Sequence, residues 1–262
     1  MPGEIVRELL AHIEKEIPDL DTLRVSDVRI GLGYTGVKLS TGQVGICHTL
    51  LDEEFCCQKI DRAGTLSGSL ALETARLADS WKLGETIVGI ATINALSQIA
   101  IQTNTNRYSI DFDVDCIDRM EIKKDDTVAM VGYIKPFIPV IRKKAKTLYI
   151  LERNPRAQVE DLLPDTASSE IVPKSDVVII TGTAVANGTI DSLLRLCGDA
   201  REVAIVGATA SMIPDPFFKR GATVMGGIRV TNAAKLLQAI SEGGGVPHFK
   251  NACRHMIIRQ KL

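Results

Sequence analysis

No CxxC, HExxH or zinc-finger spacing occurs in these 262 residues, so the six cysteines and four histidines do not spell out a metal site. Six cysteines in a chain of this length do not make a disulfide scaffold either. Apart from the adjacent Cys56–Cys57 they are scattered, and free thiols in a reducing cytoplasm are the expectation. An excess of charge of either sign is also missing. The 31 Lys and Arg balance 32 Asp and Glu, for a net charge of −1, which excludes nucleic-acid binding by bulk electrostatics. Residues 1–20 are amphipathic and carry acids, with no basic stretch followed by an apolar run, so no signal peptide is expected. The most apolar long stretch, Thr86–Ile101, is interrupted by Asn94 and Gln98. It is shorter than the ~20 residues of a membrane span, which predicts a buried helix and no membrane partner. Internal repeats, low-complexity tracts, a GxSxG nucleophile turn and a P-loop are absent.

What is present is an ordinary globular composition, 45% hydrophobic and 24% charged, long enough for two domains or one large one. Residues 3–16 read as a helix with Ile5, Leu9, Leu10 and Ile13 on one face, stopped by Pro18. Three short runs follow, Val25–Leu32, Gly36–Leu39 and Val44–Leu50, separated by Gly-Tyr-Thr-Gly and Ser-Thr-Gly, which predicts an antiparallel meander. Helices at Leu70–Ala78 and 85–102 come next, the second apolar nearly all round and so expected mid-core. Residues 106–126 are polar and acidic and read as a connector between a domain at 1–105 and another at 127–262.

In the second domain strands alternate with helices. Strands are expected at Val128–Val131, Thr147–Leu151, Val177–Thr181, Glu202–Val206 and Thr223–Met225, with helices at Pro136–Lys144, about 188–197 and Asn232–Ser241. Apolar strands joined by helices predict an α/β domain on a parallel sheet covered on both faces. The tail 246–262 has no predicted place. Ligands of such sheets bind beyond the carboxyl ends of the strands, which draws attention to the residues after each one. The first strand is followed by Gly132 and by Lys135, a candidate anion contact at a helix start; the spacing there is not G-x-G-x-x-G, which disfavours a typical dehydrogenase. The second is followed by Glu152, about where nucleotide-binding folds accept ribose hydroxyls; the alternative is a surface carboxylate paired with Arg153 or Arg156. The third is followed by Thr181-Gly182-Thr183 and Asn187, in which helix capping accounts for Thr189 and Asp191 but not for the two earlier threonines. The fourth is followed by Gly207 and Thr209, and Gly226-Gly227 forms a further small-residue loop. Asn94, in the all-apolar helix, either satisfies a neighbouring loop or faces a cleft between the domains.

Ile87–Ala95 (IVGIATINA), Val131–Phe137 (VGYIKPF), Ile180–Asp191 (ITGTAVANGTID), Val206–Pro214 (VGATASMIP) and Arg220–Gly227 stand in one order along nearly the whole chain. Together they resemble the heavy-metal chelation domain family. The resemblance implies an enolase-N-terminal-like α+β domain (β-β-β-α-α) followed by a Rossmann-like α/β domain, and a site in the cleft between them. It implies no established activity. The Rossmann-like part is similar to methyltransferases, without a clear S-adenosylmethionine motif here.

Soft ligands for a heavy metal are few. Cys47-His48 is adjacent in a strand, so the two side chains point to opposite faces. Cys56-Cys57 sits near Asp52, Glu53 and Glu54, and His248…Cys253-Arg-His255 lies in the tail. Asp111-Phe-Asp113-Val-Asp115 fails the EF-hand pattern at Cys116 and Ile122. Arg142-Lys143-Lys144 complements a helix dipole. Two functions stand. One is a cytoplasmic protein, as an enzyme, acting on a polar metabolite (a pterin, a flavin or a chelator or siderophore-like precursor). There the glycine-loop N–H groups hold an oxygen, Thr181 and Thr183 hydrogen-bond, and Glu152 binds hydroxyls or acts as a base. The other is a non-enzymatic protein that chelates a heavy metal or delivers a metal complex. A nucleoside-cofactor enzyme of the methyltransferase kind is the third alternative. No cofactor, catalytic residue or metal ligand is assigned. The ligand residues expected are Asn94, Gly132, Lys135, Glu152, Thr181, Gly182, Thr183, Asn187, Gly207 and Thr209.

Overall fold

The computed structural model describes residues 3–50, 60–153 and 162–261. The first helix, α1 (Glu4–Glu16), buries Ile5, Val6, Leu9, Leu10 and Ile13 as its periodicity requires. Then come β1 (Val25–Ile30), β2 (Tyr34–Leu39) and β3 (Val44–His48), an antiparallel sheet in the order β1-β2-β3. Tyr34 and Thr35, expected in a turn, lie in β2; the turn is the shorter Gly31–Gly33. The short α2 (Ala71–Ala75) continues as a 3-10 turn and leads to α3 (Leu83–Thr103). By length and composition α3 would cross a membrane, yet 83% of that window is buried inside the protein. Its apolar residues on all sides are met from all sides.

The remainder supplies β4 (Tyr108–Phe112), β5 (Thr127–Val131), α4 (Ile138–Lys144), β6 (Thr147–Glu152), β7 (Leu162–Pro164), α5 (Ser168–Ile171), β8 (Val177–Thr181), α6 (Thr183–Ala186), α7 (Ile190–Leu196), β9 (Glu202–Val206), α8 (Asp215–Phe218), β10 (Val224–Val230), α9 (Ala233–Ser241) and β11 (Cys253–Gln260). One mixed eight-stranded sheet has the order β4-β11-β10-β9-β8-β5-β6-β7. The six strands from β10 to β7 are parallel, and β11 and β4 add an antiparallel edge. The chain therefore runs outward through β6 and β7, then returns to place β8 on the other side of β5. The tail without a predicted place is β11, inserted between β10 and β4, and β4 comes from the segment expected to connect.

Both faces of the parallel strands are covered, which explains their unbroken apolar runs. Val128, Met130, Ile150, Ile179 and Ala204 pack with Ile138 and Ile141 of α4. On the other face Ala129, Val131, Leu151, Ile180 and Ile205 join Leu193 and Leu194 of α7 in a cluster that continues into α1, α3 and the β1-β2-β3 sheet. That small sheet lies between α3 and α9. A Cβ at Gly45 would stand 2.2 Å from the backbone of both Ala91 and Ala95, and one at Gly36 would meet Leu237 and Ile240 side chains at 2.9 Å.

Candidate functional site

The carboxyl ends of β5, β6, β8 and β9 converge where the chain reverses across the sheet. Gly132 leaves β5 at φ +100°, a conformation that side chains resist, and a Cβ there would also strike the Thr181 side chain at 2.6 Å. Its turn brings the N–H of Tyr133 to Glu152 Oε2 at 2.8 Å, so the carboxylate at the end of β6 reaches back over the end of β5. Arg153 pairs with Asp165, and Arg156 lies outside the described residues. Thr181 Oγ1 and Thr183 Oγ1 are 3.1 Å apart, a linked hydroxyl pair at the mouth of β8. Lys135 is exposed and opens the 3-10 turn that precedes α4. The expectation that glycine N–H groups hold a ligand oxygen is corrected. The N–H of Gly132 donates to Leu151 O, that of Gly182 to Val206 O and that of Gly207 to Gly226 O. Each ladder runs one residue further than the apolar pattern and takes these donors.

The stretch after β8 folds more than expected. Ala184-Val185-Ala186 favours helix and forms the single turn α6, stopped at Asn187. Asn187 Oδ1 accepts from the N–H and the hydroxyl of Thr189, an Asx turn into α7. A cavity of about 190 Å³ lies between Val185–Gly188 and the Ser80–Trp81 segment with Gly3 and Val6. Asp191 reaches past its own helix: Oδ1 accepts the Ile5 N–H, so a carboxylate of α7 caps α1 across 186 residues.

A second polar seam joins β3 and α3 to the turn after β9. Asn94 is fully buried, and its Nδ2 donates to Ile46 O at 2.7 Å and to Thr209 O at 2.8 Å, leaving Oδ1 without a partner. Gln98 Nε2 donates to Ser211 O, and Ser211 Oγ accepts from Ile228 N. Thr209 Oγ1 accepts from the His48 N–H at 3.0 Å, so this hydroxyl anchors the end of β3. Gly182 lies against the same turn, 2.7 Å from Ala210 N if it carried a Cβ, which links this seam to the Thr181–Thr183 pair.

Sequence reasoning weighed His48 only as a metal ligand beside Cys47 and passed over Tyr34. They face each other across the β2–β3 hairpin, rings 5.2 Å apart and edge-to-face, with Phe249 on the other side of Tyr34 at 5.3 Å. Registering the hairpin about Thr41-Gly42 finds the pair. Gly31-Leu-Gly33-Tyr-Thr-Gly36 spells G-x-G-x-x-G, but it joins two antiparallel strands and opens no helix, so it lacks the context of a dinucleotide site.

The metal candidates dissolve into structural roles. Cys47 points into the core and His48 to the opposite face, as strand alternation requires. Burial pushes the Cys47, Cys116, Cys197 and Cys253 thiols up to about 12, so they stay protonated. Asp111 and Asp113 pair with Arg119 and Arg254, and Asp115 accepts from Ile117 N. His248 Nδ1 accepts from Gly245 N. Cys56, Cys57, Asp52, Glu53 and Glu54 lie outside the described residues, among which no three His, Cys, Asp or Glu come together to hold an ion.

Two family profiles, each described as "Putative heavy-metal chelation", match residues 13–97 (DUF4213) and 115–259 (DUF364). The chain belongs to this family. An uncharacterized protein of Methanocaldococcus jannaschii is 29% identical over 242 residues, 89% of each chain. The crystal structure of a DUF364-family protein of unknown function from Pyrococcus horikoshii superposes with a TM-score of 0.81 at 26% identity, covering 96% of this chain and 99% of that one. A second, from Desulfitobacterium hafniense, gives 0.80 at 22% identity over 99% and 100%. None of these three relatives' descriptions assigns a substrate.

Proposed function

We propose that the protein binds a polar, hydroxyl-bearing organic molecule in a cleft between an enolase-N-terminal-like domain (1–105) and a Rossmann-like domain (127–262), with 106–126 between them. The observation that carries this reading is Glu152, a carboxylate fixed by the Tyr133 N–H beside the strand-order reversal at β5 and β8. In open α/β sheets that position takes ligands, and an acid there accepts ribose or other hydroxyls. Thr181 and Thr183 add a hydroxyl pair, and Gly132, Lys135, Gly182, Gly207, Thr209, Asn187 and Asn94 build its walls or support them. A heavy metal, in this reading, travels as a complex of the organic molecule. Protonated thiols are poor ligands, and the described donors do not cluster. The free described thiols suit the reducing cytoplasm. Pterins, flavins and chelator precursors are the substrate classes; nucleoside cofactors are the second reading, favoured by the same Glu152.

Native mass spectrometry of protein purified without chelator tests the ligand class directly, and titration calorimetry with neopterin, FMN and S-adenosylmethionine follows. A retained or titrated organic molecule is expected. Glu152→Gln should weaken it by roughly ten- to a hundredfold, since charge-assisted hydrogen bonds are lost. Stoichiometric metal with no organic species overturns the reading.

A further inference from the structure

We infer that the cavity between Trp81 and Asn187 receives the ring of the bound molecule, a planar heterocycle that lies on the Trp81 indole and accepts a hydrogen bond from the Asn187 amide. The inference rests on the small-molecule reading above. It adds where the ring lies and which groups its edge must carry.

The cavity has walls from both halves of the chain. Ser80, Trp81 and Leu83 lie before and at the start of α3, and Val185 and Asn187 lie in and just after α6. Ligand pockets favour such junctions. The volume is about 190 Å³. An apolar cavity of about 150 Å³ holds benzene, so this one takes a single ring or two fused rings and leaves the rest of a larger molecule outside. The helix α6 joins the cavity to the strand-end site. It begins at Thr183, of the hydroxyl pair, and ends at Ala186, in the cavity wall. One such turn of helix covers about 6 Å, the span of a short hydroxylated substituent on the ring.

The wall then sets the chemistry. Val6, Ala78, Leu83 and Val185 make much of it apolar. Trp81 is 76% exposed, the most exposed large hydrophobic side chain among the described residues, so its indole offers a face for a ring to cover. Stacking of that kind accepts any flat heterocycle, and the polar side chains narrow the choice. Ser80 gives its hydroxyl proton to Glu85 Oε2 at 2.6 Å, and Thr86 gives its own to Ser80 O at 2.9 Å. Asn187 Oδ1 accepts from the N–H and the hydroxyl of Thr189 at 3.1 and 2.7 Å. Those two bonds orient the amide, and its NH2 is the arm that the turn does not use. The indole N–H of Trp81 is a donor only. Among the described residues of this wall, the side chains with hydrogen bonds to give are therefore donors, and the ligand must bring acceptors. A ring carbonyl or a bare ring nitrogen does so; an ammonium group or a plain aromatic hydrocarbon does not.

The test uses the fact that Trp81 is the single tryptophan of the chain, so a proton–nitrogen correlation spectrum holds one indole cross-peak. Calorimetric titration with neopterin, FMN and S-adenosylmethionine identifies the compound that binds, and that compound should move the indole cross-peak of the labelled wild type. Trp81→Leu should bind it roughly five- to a hundredfold more weakly, the worth of one stacked ring, and Trp81→Phe should recover part of the loss. Asn187→Asp keeps the oxygen that Thr189 uses and replaces the NH2 with a second oxygen. The turn stays, the donor is lost, and affinity should fall about tenfold or more. An indole cross-peak that does not move, or wild-type affinity in either Trp81→Leu or Asn187→Asp, overturns the placement of the ring; if Glu152→Gln still weakens binding, the small-molecule site stands without it. Binding of none of the three compounds overturns the site, and the ring pocket with it.

Discussion

Asn94→Ala removes a side chain that bonds both β3 and the turn after β9. Its Nδ2 donates to Ile46 O and Thr209 O, and the residue is fully buried. Without it two carbonyls lose their donor where water does not reach, at about 1–3 kcal/mol each. Against this, Asn94 Oδ1 has no partner in the wild type, so its removal relieves part of one such penalty. The net expectation is a loss of about 3 kcal/mol. For a chain of this size that lowers the melting temperature by roughly 6–12 °C. Asn94→Asp keeps the shape but turns an oxygen toward both carbonyls, so it should destabilise more at neutral pH and partly recover when acid gives the carboxyl a proton to donate. The assay is urea and thermal unfolding followed by far-ultraviolet circular dichroism; the single tryptophan, Trp81, is 76% exposed and reports poorly on the core. A loss below about 1 kcal/mol for Asn94→Ala would show that the two carbonyls find other partners and that the seam is not held by this amide.

Three further outcomes are expected. Gly45→Ala places a methyl 2.2 Å from the backbone of α3 and should cost more than about 3 kcal/mol, read as lost soluble yield or a collapsed melting transition. Asp191→Ala removes the cap of α1 and should cost about 1–2 kcal/mol, with amide exchange accelerating first at Ile5; uniform exchange across the chain would contradict a local cap. The buried thiols, held near 12 while unfolded thiols titrate near 9, make the folded state bind more protons above pH 9. Their contribution to stability is complete below about pH 9 and is lost as pH rises toward about 12, so urea midpoints should fall across that window, and less in a variant with Cys47, Cys116 and Cys197 replaced by Ala.

The buried parallel strands were legible because burial on both faces leaves an unbroken apolar run. Val177–Thr181 and Glu202–Val206 are strands to the residue. β4 and β11 were not, because they form the antiparallel edge: YSIDF and CRHMIIRQ keep polar side chains for solvent, and Ile110 finds Ile258 only through the fold. In the candidate site, the strand-end positions of Gly132, Glu152, Thr181 and Gly207 could be read from the pattern. The destinations of their hydrogen bonds could not, since whether a glycine N–H extends a ladder depends on the neighbouring strand. Asp191 illustrates the limit. Its place in the first turn of α7 predicts a local dipole role, while its oxygen caps a helix 186 residues away.

The burial of α3 has a consequence for how the chain is made. Asn94 waits for Thr209, 115 residues later, and the β1-β2-β3 sheet on the other flank waits for α9. At ~5–20 residues per second, ribosomal synthesis leaves that helix without its C-terminal cover for roughly 6–23 s. During that interval a 21-residue apolar segment, long enough to pass for a membrane span, is sheltered only by α1, α2 and the small sheet. The nascent protein therefore depends on that shelter, or on a chaperone, to keep its most hydrophobic helix from other surfaces until the second half of the chain arrives.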